Sequence, residues 1–343
     1  MSERMWIAMS GGVDSSIAAA LMAEQGHDCT GVTMTLGRGA ADEAAVADAR
    51  AVCEHLGIPH RVVDLSAEFR RSVVEATAEA YAAGRTPNPC VLCNAAVKFG
   101  ILLQSAREAG ARLATGHYAR IVAVPGGLRL ARALDACKDQ TYFLYRLGPE
   151  DLEYVIFPLG QLTKTTVRAM AAARGLAGTH GRESQDACFL DAGGYAALVS
   201  ASHPEACQPG PIYSTGGAVL GTHAGLCRYT VGQRRGIGIA SAEPLYVVGL
   251  DAARNAIIVG GRRDLEVTRV VASDAVWFAA GVPLRAEVMV RYNAVPVPAA
   301  VRRNGDTLIV VADEPLVGVA PGQALVCYNG EVVIGGGTIE EAT

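Results

Sequence analysis

The sequence predicts an α/β domain with a parallel sheet, followed by a β-rich central domain and a C-terminal β-barrel-like domain. Three observations predict it. Strand-like and helix-like segments alternate through the first half of the 343 residues, and such alternation gives a parallel sheet covered on both faces. The opening stretch, "RMWIAMSGGVDSSIAAALMAEQG" at residues 4–26, reads as strand, glycine loop and helix. From about residue 200 helical spacing mostly disappears, and short alternating runs separated by Gly, Pro and Asp take over, which is the pattern of small β-domains. The expected boundaries are 1–198, 199–262 and 263–343.

Taken in order, "IAAALMAEQG" is a helix closed by Gly26, a residue that readily adopts the left-handed terminal conformation. "CTGVTMT" is a buried strand, "DEAAVADARAVCEHLG" has helical apolar spacing, "HRVVDLS" is a strand, and "AEFRRSVVEATAEAYAAG" is a helix. "RTPNPCVLCN", residues 85–94, breaks this rhythm. Its two prolines are read as barring both helix and central strand, so an exposed, stiff loop is expected. A helix "AAVKFGILLQSAREAG", one strand "RLATGHYARIV", a helical region at about 163–180 and a second cysteine loop at 181–194 follow. In the last third, "PLYVVGLD", "AIIVGG", "RAEVMVRY", "TLIVVAD" and "ALVCYNGEVVIGGG" read as strands.

Half of the residues are hydrophobic and 19% are charged, the composition of a folded globular chain. No apolar run is expected to reach the roughly 20 residues that cross a bilayer. No signal-peptide pattern precedes the first strand, so a cytoplasmic protein with no membrane partner is expected. A net charge of −4 gives no global sign of nucleic acid, although a local basic groove can coexist with it. Nine cysteines, an odd number spread along the chain, argue against a disulfide framework. Most are expected to be free thiols that pack as small hydrophobes.

The loop "SGGVDSS" carries the first chemistry. Gly11 and Gly12 let backbone amides crowd a phosphate, Ser10, Ser15 and Ser16 add hydroxyls, and the following helix contributes its positive end. A kinase-type phosphate loop has a lysine after its last glycine; here Val13 and Asp14 stand there. Asp14 can orient the loop or meet Mg2+. Such a loop suits the pyrophosphate that departs when ATP is split between its α and β phosphates. The pattern resembles the PP-loop of ATP pyrophosphatases, an adenine-nucleotide alpha-hydrolase-like fold.

Adenylation creates a leaving group that a nucleophile must displace, and thiolates are strong nucleophiles. Cys93 lies in "NPCVLCN" and Cys188 in "SQDACFL". A helix start just after Cys93 and Arg182 ahead of Cys188 are candidates for lowering their pKa values.

With "AMSGGVDSS", "RTPNPCVLCNAAVKF", "ATGHYAR", "KDQTYFLY", "ESQDACFL", "YTVGQRRGIGI", "PLYVVGLD" and "PGQALVCYNGEVVIGGG" in place, the chain resembles the tRNA-specific 2-thiouridylases of the MnmA type over nearly its whole length. The resemblance implies that ATP lies against Ala8, Met9, Ser10, Gly11, Gly12, Val13, Asp14 and Ser15, with Met34 and Gly116 near the adenosine. It implies adenylation of the wobble uridine of tRNA, as in the Lys, Glu and Gln type. Cys188 would carry a persulfide supplied by a sulfur donor protein, a cysteine desulfurase or its relay. Cys93 would act as nucleophile through a transient Cys93–Cys188 disulfide. Asn88, Pro89 and Cys90 would meet the target base, and His117, Lys138, Asp139, Gln140, Arg291, Tyr292 and Gln323 the tRNA. The bland reading of His117 is a satisfied histidine at a strand end. A monomer is expected.

The chain departs from this pattern in two places. Cys90 stands where many relatives have aspartate. Cys90, Cys93 and Cys188 could then hold a 4Fe–4S cluster with one iron open to sulfide. The stretch after Met34, "TLGRGAADEAAV", lacks a tryptophan-containing acidic insertion. Two alternatives from other classes are a PP-loop ligase for a small molecule and a non-enzymatic iron–sulfur or tRNA-binding protein.

Overall fold

The structure is a computed structural model that describes residues 2–176, 187–190, 193–279 and 284–343. The chain forms two compact units. One comprises Met1–Val73, Cys90–Gln185 and Glu331–Val333; the other comprises Val74–Pro89, Asp186–Gly330 and Ile334–Thr343.

The first unit is built on strands β1 (Arg4–Ala8), β2 (Asp28–Thr35), β3 (His60–Asp64) and β4 (Arg112–Thr115), with β7 (Val155–Ile156) at the edge; β5 (Arg120–Val124) and β6 (Gly127–Ala131) form a hairpin outside that sheet, pairing through Ala131 with Val332. The sheet order is β3-β2-β1-β4-β7 and every pairing is parallel. Ala8 pairs with both Val32 and Thr115, so the segments after β1 and β4 leave side by side at the carboxyl edge. Ligands sit at that edge in open α/β sheets. Helix α1 (Val13–Glu24) is apolar nearly all round, with Ser15 to Ala20 buried, as a helix covered on several sides must be. It packs with Met5, Ile7, Val52 and Cys53 of the neighbouring strands and of α2 (Ala40–Leu56), and with Val167 of the helix Lys164–Ala173.

The stretch expected as one strand, "RLATGHYARIV", is two. β4 stops at Thr115 and β5 begins at Arg120. Thr115 Oγ1 bonds His117 Nδ1 at 2.7 Å, and Tyr118 turns inward, 2% exposed. Between the two strands, the Tyr118 hydroxyl reaches back to Asp14 at the start of α1.

Helical backbone also starts earlier than the prolines suggested. It runs without a gap through Pro89–Leu92, Cys93–Leu102 and Leu103–Glu108, the middle section π-helical. Pro89 is the first residue, where a missing N–H costs nothing. Contrary to the expected lack of a bilayer-length run, Pro89–Glu108 is long and apolar enough by length and composition to cross a membrane. Its Val97, Phe99, Leu102, Leu103 and Ala106 are buried in the fold, and its apolar character belongs to the core.

The second unit holds two β systems. Strands β8 (Gly210–Ser214), β9 (Val219–His223), β10 (Tyr246–Asp251) and β11 (Ala256–Gly260) form a sheet ordered β10-β11-β8-β9. Strands β12 (Glu266–Trp277), β13 (Leu284–Met289), β14 (Val297–Asn304), β15 (Thr307–Val317), β16 (Ala324–Asn329) and β17 (Val332–Ala342) follow in the order β12-β15-β14-β13-β16-β17. β17 pairs again with β12, closing a barrel, and closure removes the open edges of a sheet. Inward side chains such as Val270, Val288, Val301, Val310 and Leu325 are fully buried.

Candidate active site

The loop between β1 and α1 is shaped by backbone demands. Gly11 has φ +75°, and a Cβ there would stand 2.7 Å from Asp48 Cβ. Gly12 precedes α1 in an extended conformation and offers no side chain to cap it. Ser15 Oγ and Ser16 Oγ donate to the Gly12 carbonyl at 2.9 and 3.0 Å, and Ser10 Oγ lies 3.2 Å from Ser15 Oγ. The hydroxyls thus fold the loop on itself while the uncapped start of α1, carrying its partial positive charge, faces outward. Gly116 closes one side. A Cβ on it would lie 2.9 Å from Asp14 C and from Ser15 N, so only glycine lets this strand end touch the first turn of α1. An anion of phosphate size suits this setting. Ala8, Met9 and Val13 complete the segment, and Met34 lies at the same sheet end, paired with Val63.

Asp14 is the hub of a side-chain network. Lys164 Nζ donates to Oδ1 at 2.8 Å and to Oδ2 at 2.7 Å, and the Tyr118 hydroxyl donates to Oδ1 at 2.9 Å. Gln140 in turn fixes Tyr118: its Oε1 accepts the Tyr118 amide at 2.9 Å, and its own amide donates to the Tyr118 carbonyl at 2.9 Å. Asp135 accepts the Lys164 amide at 2.9 Å and the Cys137 amide at 3.2 Å. "KDQTYFL" and "TGHY" are therefore parts of the frame around the nucleotide loop. Sequence reasoning missed Lys164, although it is one of only three lysines in the chain. That scarcity was the available signal.

Among the residues expected to meet tRNA, Asp139 is turned inward. It is 7% exposed, and its carboxylate accepts from Ala133 N at 3.0 Å, Thr141 Oγ1 at 2.7 Å and the Arg132 guanidinium at 3.3 Å. Lys138 is half-buried beside it. His117 packs near Phe99 and Phe157 with ring centroids 5.7 and 6.2 Å away. Burial, then the Lys98 charge, hold its pKa well below the usual value, so the imidazole is neutral.

In the second unit, Gln323 Nε2 donates to the carbonyls of Thr86 at 2.9 Å and Pro87 at 3.2 Å. Thr86 N donates to Pro321 O at 2.7 Å, and Arg85 clasps Glu340 at 2.5 and 2.9 Å. On the approach to Asn88, Thr86, Pro87 and Pro89 are buried rather than exposed as expected. Arg291 is exposed and Tyr292 half-exposed in the turn after β13.

Cys93 differs from the expectation of an exposed loop thiol. It is 8% exposed and helical, because helix begins four residues earlier, at Pro89. Cys90, one turn before it, is exposed, and so is Cys188 in the other unit. Arg182 and most of the loop around Cys188 lie outside the described residues. Among the described residues no three His, Cys, Asp or Glu side chains stand together as a metal-holding group.

Comparison with known proteins agrees with this division of the chain into α/β and β parts. Family models described as tRNA methyl transferase HUP domain, tRNA methyl transferase PRC-barrel domain and aminomethyltransferase beta-barrel domain match residues 3–192, 201–261 and 267–339. A protein of Roseiflexus castenholzii named tRNA-specific 2-thiouridylase MnmA is 46% identical, covering 98% of this chain and 99% of its own. One of the same name from Chloroflexus aurantiacus is 48% identical over 97% of both chains. The solved U34-tRNA thiolase NcsA from Methanococcus maripaludis, with its 4Fe-4S cluster, is 18% identical with a TM-score of 0.37 over 59% of this chain and 67% of that one. So low a likeness carries no argument about the site.

Proposed function

The chain belongs to the tRNA-specific 2-thiouridylase family, and from that premise we propose that it uses ATP to replace the 2-oxygen of a tRNA wobble uridine with sulfur. The observation that carries this reading is the glycine–serine loop at the sheet's carboxyl edge, framed by Asp14, Tyr118 and Lys164. Mg2+ enters as the companion of ATP's phosphates, since Mg2+ binds through phosphates and few protein carboxylates.

In the first half-reaction the uridine 2-oxygen attacks the α-phosphorus, and the α–β bond breaks as pyrophosphate leaves toward the amides of the loop. The adenylated C2 then carries AMP as a leaving group. A persulfide on Cys188, supplied by a cysteine desulfurase or its relay, attacks C2 through its terminal sulfur and AMP departs. The Cys93 thiolate next attacks the Cys188 sulfur. A Cys93–Cys188 disulfide forms, and the electron pair of the broken S–S bond stays on the base as 2-thiouridine. A thiol reductant returns the two cysteines.

Asn88, Pro89 and Cys90 would receive the flipped base on a stiff platform, which offsets part of the unstacking cost. Arg291, Tyr292 and Lys138 would supply phosphate and stacking contacts. His117 and Gln323 would act from the same two regions, Gln323 by holding the loop that carries Asn88. Gln140 and Asp139 would shape the tRNA-facing segment rather than reach the RNA themselves. We read the division of labour as 1–198 for nucleotide and sulfur chemistry, with 199–262 and 263–343 for RNA. A small-molecule ligase or a non-enzymatic binder is less favoured, because relatives of this kind match along 97–98% of the chain, β modules included.

The test is direct. The purified chain, incubated with unmodified tRNA, ATP, a cysteine desulfurase and cysteine, should yield 2-thiouridine by nucleoside mass spectrometry, with AMP released in equal amount. Product formed equally well without ATP would end the proposal.

A further inference from the structure

Resting on the reading that the loop takes ATP, we propose that Lys164 is the phosphate ligand the loop lacks in its own sequence, and that Asp14 parks its ammonium at the mouth of the loop until nucleotide arrives.

Three observations carry this. First, the ammonium is placed by both carboxylate oxygens of Asp14, 2.8 and 2.7 Å away, and Asp14 is the second residue of α1. The charge therefore stands at the end of α1 where loop amides converge, although Lys164 is 150 positions away in sequence. Second, the placement is enforced from several sides. Thr163 caps the helix by accepting Thr166 N, Asp135 takes the Lys164 amide, and the ammonium lies 5.9 Å from the Tyr118 ring centroid. The side chain is only 13% exposed, so its stem is held against the fold with the ammonium at the loop.

Third, the position runs against local electrostatics. Lys164 is the first residue of its helix, where the helix dipole disfavours a cation. A residue that breaks a local rule and is held in place by several partners points to a role beyond stability. A single carboxylate is also a weaker competitor for an ammonium than a polyphosphate. ATP's β and γ phosphates, seated on the loop amides, would draw Lys164 Nζ from Asp14 and place positive charge where pyrophosphate departs, as oriented cations do in phosphoryl and nucleotidyl transfer.

The experiment compares ATP and AMP binding to the full chain by calorimetry, with Mg2+ and without tRNA, so that no turnover occurs. AMP lacks the β and γ phosphates and serves as the internal control for fold and adenosine contacts. Lys164→Met should weaken ATP binding by roughly 10- to 100-fold, the range of a lost hydrogen bond to a charged group, and leave AMP binding unchanged. Lys164→Arg should recover most of the ATP affinity. Equal losses for ATP and AMP would show that Lys164 only shapes the loop, and an unchanged ATP affinity would show that it faces no phosphate; either overturns the inference. A wild-type chain that binds neither nucleotide would instead remove the ATP reading beneath it.

Discussion

At the scale of single residues, Gly11 and Gly116 show how local demands write a motif. Gly11 must adopt a positive φ beside Asp48, and Gly116 must let backbone touch backbone at Ser15. Replacing Gly11 with Ala combines left-handed strain of about 1–2 kcal/mol with a collision at Asp48. A stability loss of at least about 2 kcal/mol is expected in urea unfolding, together with lost ATP binding. The cysteines sort by surroundings. Burial pushes Cys29 and Cys53 up to about 11 and Cys327 up to about 12, whereas Cys90, Cys137 and Cys188 are exposed. Iodoacetamide at pH 8 followed by peptide mass spectrometry should label the exposed three first and reach the buried three only after denaturation. The glycine–serine loop was legible in the sequence because its requirements are met within a few consecutive residues. Lys164 was not, because its partner lies far along the chain and nothing near Lys164 in sequence announces it.

At the scale of elements, side-chain tasks decide where helices and strands begin. Proline by propensity excludes helix, yet Pro89 opens one, and this puts Cys93 in a buried turn rather than a loop. The strand expected through "TGHY" is cut because Tyr118 must reach Asp14. Both errors arose from judging a segment by propensity when a partner elsewhere determined it. Asp42 provides a pH test at the start of α2. Burial alone would raise its pKa, but amide bonds from Arg38 and Leu36 and the Arg38 guanidinium outweigh this and hold it below the usual carboxylate range. A depressed carboxyl stabilises the fold above its unfolded pKa and loses that contribution as pH falls through the folded one. Asp42→Asn should therefore lower stability at pH 7 by about 1–3 kcal/mol, and the difference from wild type should shrink as pH falls below about 4. Denaturant titrations at pH 7, 5 and 3 measure it, and a gap that widens toward acid contradicts the assignment.

At the scale of the whole molecule, an α/β unit that suits nucleotide chemistry is joined in one chain to a small sheet and a closed barrel. Alternating strand patterns announced the β modules, since two-residue periodicity survives without knowledge of partners. Closure of the barrel through β12 and β17 was beyond the sequence, because register between strands more than fifty residues apart depends on every strand between them. The functional division predicts that nucleotide and sulfur steps separate cleanly. The most direct measurement is a single-turnover reaction of the Cys188→Ser protein with unmodified tRNA, a cysteine desulfurase with cysteine, and ATP labelled at the α-phosphate. The label should move onto tRNA, pyrophosphate should be released and no 2-thiouridine should form. Full 2-thiouridine from that protein, or no labelled tRNA from it or from the wild type, would contradict the claim that ATP cleavage prepares the base for thiol-borne sulfur.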